Sequence, residues 1–434
     1  MKKVYIVIGA DIIHPGHLNV IHEGSKLGNV IVGLLSDQAI SSYKRIPIYN
    51  YEIRKEIFGS IKGVNEIIKQ DTLDYTENLR KLKPNYVVHG DDWREGVQQH
   101  VRQRVIEVLE EWGGKLIEVP YTYGLSSSTA TEELTKDLKA PDYRRGLLKK
   151  MLHLKPFVSV MEASNGLSGL IVENTNVVNE KTGFPKQFDA MWISSLCDST
   201  FKGKPDIELV DLTSRINTIN EIMDVTTKPI ILDGDTGGKE EHFVFNIKTL
   251  ERLGVSAIII EDKTGLKKNS LFGTDVVQTL EDPEIFANKI RMGKQALTTR
   301  DFLIFARLES LIAGKDVDDA MKRAKLYIEA GADGVMIHSK SKTGEDIIEF
   351  MRRFREYSKD IPLIVVPTAY NHFTEEELAE KGANIIIHAN HLLRSAYPAM
   401  VKAAESILTH GRSKEADEFC LPIKKVLTLI PGGE

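Results

Sequence analysis

Ala257-Ile258-Ile259-Ile260-Glu261-Asp262-Lys263 is a short, unbroken apolar run that stops abruptly at three charged residues. A strand with one wet face alternates polar and apolar side chains, so a continuous run suits a strand covered on both faces. The same signature recurs at 157–161, 190–196, 229–232, 302–306, 334–337, 363–366 and 384–387. That makes eight runs, with amphipathic stretches such as 316–330 and 375–381 between most pairs. Eight strand–helix units over about 240 residues predict a (β/α)8 barrel, with a doubly wound open sheet as the competitor. Beyond His391 the pattern is mainly helical.

A barrel enzyme gathers its site at the C-terminal ends of its strands. Those ends are unusually polar here. They carry Glu162 before Ser164-Asn165-Gly166, then Trp192 and Ser194, then Asp233-Gly234-Asp235-Thr236-Gly237-Gly238. Glu261-Asp262-Lys263, Arg307 with Glu309, His338, and His388 with Asn390 follow. One strand-end carboxylate reads as a helix cap. Ionisable groups at most of the ends read better as one shared mouth. Asp233, Asp235 and Glu261 are hard oxygen donors that suit a Mg²⁺ keeping several waters, unless they form only a solvated acidic rim. Arg307 and His338 on neighbouring strands argue against a bare rim, because they would clamp an anion. The expected substrate is a small phosphorylated or carboxylated molecule. Gly265, Lys267, Asn269 and Ser270 follow the fourth run, and read either as a lid or as a charged surface loop.

The first part of the chain alternates strand runs at 4–8, 30–35, 86–89 and 115–119 with helical spacing over 17–26 and 51–61. This predicts a Rossmann-like parallel α/β domain over 1–135. The segment 136–150 is charged and poor in large apolar residues, and reads as a linker or a short surface helix before a barrel domain over 151–434. Directly after the first strand stands Asp11-Ile12-Ile13-His14-Pro15-Gly16-His17. Two histidines where a strand meets a helix can face nucleotide phosphates together with the helix dipole. A turn with two caps, or a metal pair, is the alternative.

The 434 residues are 42% hydrophobic and 27% charged, which excludes a fibrous or mainly disordered chain. A net charge of -5 gives no global field for nucleic acid. No apolar run reaches the roughly 18 residues of a membrane span. Cys197 and Cys420 cannot make a disulfide framework, and a cytoplasmic location is expected.

On Met161-Glu162-Ala163, Asn165-Gly166-Leu167-Ser168, Trp192 with Ser194, Asp233-Gly234-Asp235-Thr236-Gly237, and Glu261-Asp262-Lys263 with Lys267, Asn269 and Ser270, the second part resembles the phosphoenolpyruvate mutase family. That family belongs to the isocitrate lyase superfamily, and the resemblance covers about 154–408. It implies interconversion of phosphoenolpyruvate and phosphonopyruvate. It also implies Asp206 as the nucleophile that takes the phosphoryl group, although Asp206 alone would pass as a loop residue. Asp233, Asp235 and Glu261 match the Mg²⁺ environment, and Arg307 and His338 the anion clamp. Trp192, Ser194 and Leu196 match the substrate floor, and Lys267, Asn269 and Ser270 the catalytic gating loop. A phosphonopyruvate hydrolase shares this machinery, and Asn269 favours the mutase. A lyase would need a cysteine where Lys263-Thr264-Gly265 stands.

On His14-Pro15-Gly16-His17, Lys44, Tyr51-Glu52-Ile53-Arg54, His89-Gly90-Asp91-Asp92-Trp93 and Thr122-Tyr123-Gly124-Leu125-Ser126-Ser127-Ser128, the first part resembles the glycerol-3-phosphate cytidylyltransferase family. The resemblance implies CTP as co-substrate and catalytic His14 and His17. It implies further nucleotide contacts from Gly9, Asp11, Lys44, Arg54, Asp91, Thr122, Gly124, Ser126 and Ser127. Tyr121 stands where the family has Arg, and Ile8-Gly9-Ala10 where it has Gly-Thr-Phe. The order of the two parts resembles bifunctional fusions of phosphonate biosynthesis, including fosfomycin-type antibiotic pathways. The implied CMP acceptor is a small phosphonate such as 2-hydroxyethylphosphonate or 2-aminoethylphosphonate. A hydrolase carrying a non-catalytic nucleotide sensor is the rival. The family also implies a homo-oligomer, dimer or tetramer, with the last barrel helix exchanged.

Overall fold

The computed structural model describes residues 2–10, 13–43, 46–94, 99–120, 139–179, 185–265 and 267–430. The first unit is a five-stranded parallel sheet of β1 (Lys3–Ile8), β2 (Asn29–Leu35), β3 (Glu66–Gln70), β4 (Tyr86–Gly90) and β5 (Lys115–Val119). Its order is β3-β2-β1-β4-β5. The order reverses between β1 and β4, where open α/β sheets bind ligands. Sequence patterning finds four of these strands and misses β3. That strand lies at the sheet edge with only Gln70 fully buried, so it lacks a continuous apolar run.

The second unit closes into a barrel. Its strands are β6 (Val158–Glu162), β9 (Ala190–Ile193), β10 (Ile230–Asp233), β11 (Ala257–Glu261), β12 (Leu303–Leu308), β13 (Gly334–Ile337), β14 (Leu363–Val365) and β15 (Ile385–His388). All eight coincide with the apolar runs. The hairpin of β7 (Asn176–Val178) and β8 (Pro185–Gln187) stands outside the barrel. Pairing of β15 back to β6, from Ile385 with Val158 to His388 with Met161, excludes the open sheet. Val160, Trp192, Ile259 and Phe305 fill the interior, while Met191, Leu232, Ile258 and Ile304 pack outwards on the helices. Both faces are therefore dry, which is why the runs do not alternate.

The charged segment before the barrel forms the helix Pro141–Leu154, which lies across the N-terminal ends of the strands. Arg144 Nη2 donates to Thr226 O (2.5 Å) and Arg145 Nη1 to Glu251 O (2.9 Å). Ser256 Oγ donates to Arg144 O (2.7 Å) and Lys149 Nζ to Arg300 O (2.7 Å). Leu147, Leu148 and Met151 close the barrel floor, and Ile46 of the first unit joins the same cluster. The two units thus meet at the end opposite the barrel mouth.

The last long helix, His391–His410, buries none of its residues and exposes Tyr397, Met400 and Leu408. Buried Glu162 accepts the Leu393 N–H (2.7 Å) at its first turn, and Glu162 Oε2 has no hydrogen-bond partner. Burial pushes the Glu162 carboxyl up to about 7, against the helix amides. The folded value lies above the unfolded one, so the cost is absent below about pH 4.5 and complete above about pH 7. Wild type should therefore lose on the order of 3 kcal/mol relative to Glu162→Gln across that window. Urea unfolding at pH 5 and pH 8 checks this, and an equal gap at both values contradicts it. Among the described residues no helix is long and apolar enough to cross a membrane.

Candidate active sites

At the barrel mouth the strand ends and two loops converge. Asp206 lies between the helices Ser195–Phe201 and Leu212–Val225. Its Oδ1 accepts from Lys267 Nζ (3.0 Å) and its Oδ2 from Asn269 Nδ2 (2.6 Å). The segment after β11 is therefore folded over the mouth. Lys267 Nζ also donates to Ser195 Oγ (2.9 Å) and to Asp235. Asp235 accepts Arg215 Nη1 as well (2.8 Å), and its backbone sits in the left-handed region at φ 52°. Gly237 follows in the same region at φ 78°, so the turn needs its glycine. Asp233 Oδ2 accepts both the N–H (3.1 Å) and the Oγ–H (2.9 Å) of Ser195.

Arg307 is buried among carboxylates. Its Nε donates to Glu309 (2.6 Å), its Nη2 to Ser270 Oγ (2.7 Å), and Nη2 lies 3.0 Å from Glu261 Oε2. His338 Nδ1 faces Glu309 Oε1 at 3.0 Å. Lys263 Nζ donates to Ser270 Oγ (2.9 Å) and to Lys268 O (2.9 Å), strapping down the lid segment. Trp192, Ser194, Leu196, Asp206, Asp233, Lys267, Asn269, Ser270, Arg307 and His338 all line one cavity. Asp235 and Glu261 stand behind it through the contacts just given. Sequence reasoning did not assign roles to Ser195, Arg215, Lys263 or Glu309. Glu309 had a signal, since it stands two residues after Arg307 and so shares its face of an extended chain.

Electrostatics set the protonation states. Burial pushes Asp233 up, yet Lys267, Arg307 and Arg215 outweigh it and hold the carboxyl at about 2. Burial also pushes Glu261 up, and there it prevails over Arg307 and Lys267. Burial opposes the charge of Arg307, but Glu261, Glu309 and Asp233 together favour it. Burial and Arg307 pull His338 down, with Glu309 opposing. A neutral His338 leaves the charge of the expected anion clamp on Arg307, and its Nδ1 contact to Glu309 turns Nε2 towards the role of acceptor.

Among the described residues no three His, Cys, Asp or Glu side chains form a ready metal cluster. The donor chemistry still fits Mg²⁺. Both oxygens of buried Glu261 lack hydrogen bonds. Asp206, Asp233, Asp235, Glu261 and Glu309 are five carboxylates facing four cations, Arg215, Lys263, Lys267 and Arg307. A site with one carboxylate in excess, made of oxygen donors, accommodates a hard cation that keeps its waters.

In the first unit His14 caps the helix Pro15–Leu27. His14 Nδ1 accepts from Gly16 N (3.1 Å) and His17 Nδ1 from His14 N (3.3 Å), with ring centroids 3.8 Å apart. Both rings are thus oriented by the helix start. Gly9 follows β1 against Leu35 and Tyr43, where a Cβ would lie 2.7 Å from Leu35 Cδ1. Asp91 opens a short helical turn after β4. Arg54 is fully buried and holds Tyr49 O (3.1 Å), Leu35 O (2.9 Å) and Asp37 (2.5 Å), with Nη1 unpartnered. Its contacts tie the third helix of the unit to the end of β2. Asp11, Lys44, Thr122, Gly124, Ser126 and Ser127 lie outside the described residues.

A closed (β/α)8 barrel whose mouth joins acidic oxygen donors to a buried arginine and a folded lid has the build of a barrel enzyme with its site at the C-terminal ends of the strands. Residues 148–408 match the family model described as phosphoenolpyruvate phosphomutase, and residues 9–139 the one described as cytidylyltransferase-like. The first match spans more than half of the chain, and the protein belongs to the phosphoenolpyruvate phosphomutase family. It is 34% identical to the phosphoenolpyruvate phosphomutase of Tetrahymena pyriformis over 283 residues, 65% of this chain and 89% of that one. The crystal structure of phosphoenolpyruvate phosphomutase from Streptomyces platensis subsp. rosaceus is 31% identical, with a TM-score of 0.58 over 65% of this chain and 93% of that one. A phosphonopyruvate hydrolase solved with oxalate and Mg²⁺ is 30% identical, with a TM-score of 0.54 over 68% of this chain and 94% of that one.

Proposed function

We propose that the barrel interconverts phosphoenolpyruvate and phosphonopyruvate through a phospho-aspartate at Asp206. The observation that carries this reading is the closure of Lys267 and Asn269 over Asp206. A carboxylate nucleophile covered by a lid can hold a phosphoryl group that water cannot reach. In the proposed sequence an Asp206 oxygen bonds to phosphorus as the enol oxygen–phosphorus bond breaks. The pyruvate enolate stays bound, and its terminal carbon then bonds to the same phosphorus as the Asp206 oxygen leaves. Arg307 and donors near Ser194 hold the anionic groups, while Trp192 and Leu196 form the floor. Asp233, Asp235 and Glu261 would hold Mg²⁺, which when bound offsets charge on the phosphoryl oxygens. The hydrolase is the second reading, favoured by that relative's nearly equal identity. Asn269 on Asp206 weighs against it.

The first unit transfers CMP from CTP to a small phosphonate, with pyrophosphate leaving. No protein nucleophile is needed, because the transfer is carried by positioning, by Nε2–H donors of His14 and His17, whose Nδ1 atoms accept backbone N–H groups, and by positive charge from Lys44 and Mg²⁺. Purified protein with CTP and either 2-hydroxyethylphosphonate or 2-aminoethylphosphonate should release pyrophosphate. His17→Ala should slow that release by roughly 100-fold or more. CTP binding without pyrophosphate from either acceptor would make this unit a sensor instead.

The chain assembles as a dimer or tetramer by exchange of the helix His391–His410. Its support is a 20-residue helix that buries none of its own residues. Light scattering should give at least a dimer mass, and a monomer would contradict the exchange.

A further inference from the structure

We propose that Arg215 and Thr236 are positioning residues, which register the loop carrying Asp206 against the loop carrying Asp233 and Asp235. The proposal rests on the reading of Asp206 as phosphoryl acceptor. Residues 203–208 have no regular structure of their own, so something else must fix the Asp206 carboxylate. Thr236 of the 233–236 turn does so at the exit of the loop, and Arg215, bonded to Asp235 of that turn, does so at its root.

At its root, Lys202 binds Asp198 and donates to Thr218 Oγ1 (2.5 Å). Thr218 Oγ1 donates to Asp198 Oδ1 (2.8 Å). Arg215 is 4% exposed and stands between this group and the mouth. Its Nη1 donates to Asp235 (2.8 Å), its Nη2 to Ile193 O (3.3 Å), and its Nε faces Asp198 Oδ2 at 3.8 Å. Arg215 Nε and Asp198 Oδ2 are both buried without a hydrogen bond, so each depends on the other's charge. A planar three-nitrogen fork can span Asp235, Ile193 O and Asp198 together, and an ammonium cannot.

At the exit, Glu208 adopts a left-handed backbone at φ 59°, which a non-glycine residue keeps only when its surroundings hold it there. The hold is Thr236 Oγ1, which lies 2.9 and 2.8 Å from the two Glu208 oxygens. Thr236 is itself pinned, since its carbonyl accepts Lys289 Nζ (2.9 Å). Lys267 and Asn269 hold Asp206 from the lid side, and those contacts break whenever the lid opens. Neither clasp is made by a lid residue, although Asp235 takes Lys267 on its other oxygen. They keep the carboxylate, or the phosphoryl group on it, in register with the carboxylate turn while substrate enters and leaves.

The test uses Arg215→Lys, Thr236→Val and Thr236→Ser in the full chain, with phosphonopyruvate and Mg²⁺. Arg215→Lys and Thr236→Val should each lower kcat about 10-fold or more, with KM changed less than about 3-fold. Inorganic phosphate should rise as a share of product, and Thr236→Ser should restore the wild-type pattern. Amide exchange over 203–208 should speed up about 10-fold in the first two variants while the barrel strands keep their protection. Unchanged kcat, or unchanged exchange in that loop, would overturn the proposal. If exchange speeds up everywhere, the variant has lost its fold, and the milder Thr236→Val and Thr236→Ser pair decides. If wild type leaves phosphonopyruvate untouched, the reading of Asp206 fails, while exchange over 203–208 still judges the clasps.

Discussion

Asp206→Asn is expected to lower turnover of phosphonopyruvate by about three orders of magnitude or more, with the fold intact. The amide has the shape of the carboxylate but cannot form the covalent phosphoryl intermediate. Lys267 keeps Asp235 as its partner after the change, so no cation is stranded. Asn269 can turn its amide to pair with the new one, and the lid retains the contacts of Lys263. Thermal unfolding near the wild-type midpoint would show that the loss is chemical. Residual activity within about 10-fold of wild type would mean direct transfer between substrate atoms, and would remove Asp206 from the mechanism.

Arg307→Met is expected to be the most damaging single change for stability. Arg307 lies within 3.0 Å of Glu261 and 2.6 Å of Glu309, and both carboxylates are buried. Removing the guanidinium leaves Lys263 as their nearest cation, at 3.4 and 3.3 Å, with Glu309 still bonded to His338 and Ser270. Breaking such a buried pair costs about 3–5 kcal/mol, and turnover should be lost with it. The pH dependence gives the cause. In wild type, burial pushes Glu309 up but Arg307 and His338 hold it well below 4.5, so its contribution is present at neutral pH and fades on acidification. In the variant the same carboxyl is raised, so the cost falls as it protonates. Urea unfolding should show a gap between the two proteins that is large at pH 7.5 and smaller at pH 5. A gap that is constant with pH would point to lost packing rather than to stranded charge.

The barrel was legible because its strands are dry on both faces, which writes each one as an unbroken run. β3 was not, because its edge position leaves Glu66 and Lys69 in water and blurs the pattern. The helix Pro141–Leu154 looked like a solvated segment because Arg144 and Arg145 are charged. In the fold their long side chains reach buried carbonyls at the barrel floor, and charge count cannot show that. The mouth was legible wherever a polar residue ends a strand, as with Asp233, Glu261, Arg307 and His338. Asp206 carries no local signal, because it sits on an irregular loop and becomes special only when Lys267 and Asn269 close on it. Ser195, Arg215 and Lys263 escaped for a related reason. Each acts on another side chain far along the chain, and such pairings are set by packing rather than by spacing. Arg54 shows the converse. Its motif points to the nucleotide, whereas its buried donors hold Asp37 and two carbonyls of its own unit.

The most direct test of the account is ³¹P NMR of the purified protein with phosphonopyruvate, with and without Mg²⁺. The account predicts a phosphoenolpyruvate signal that needs Mg²⁺, disappears on chelation and returns on adding the metal back. Inorganic phosphate in place of phosphoenolpyruvate would contradict it, and would make the barrel a hydrolase whose lid admits water.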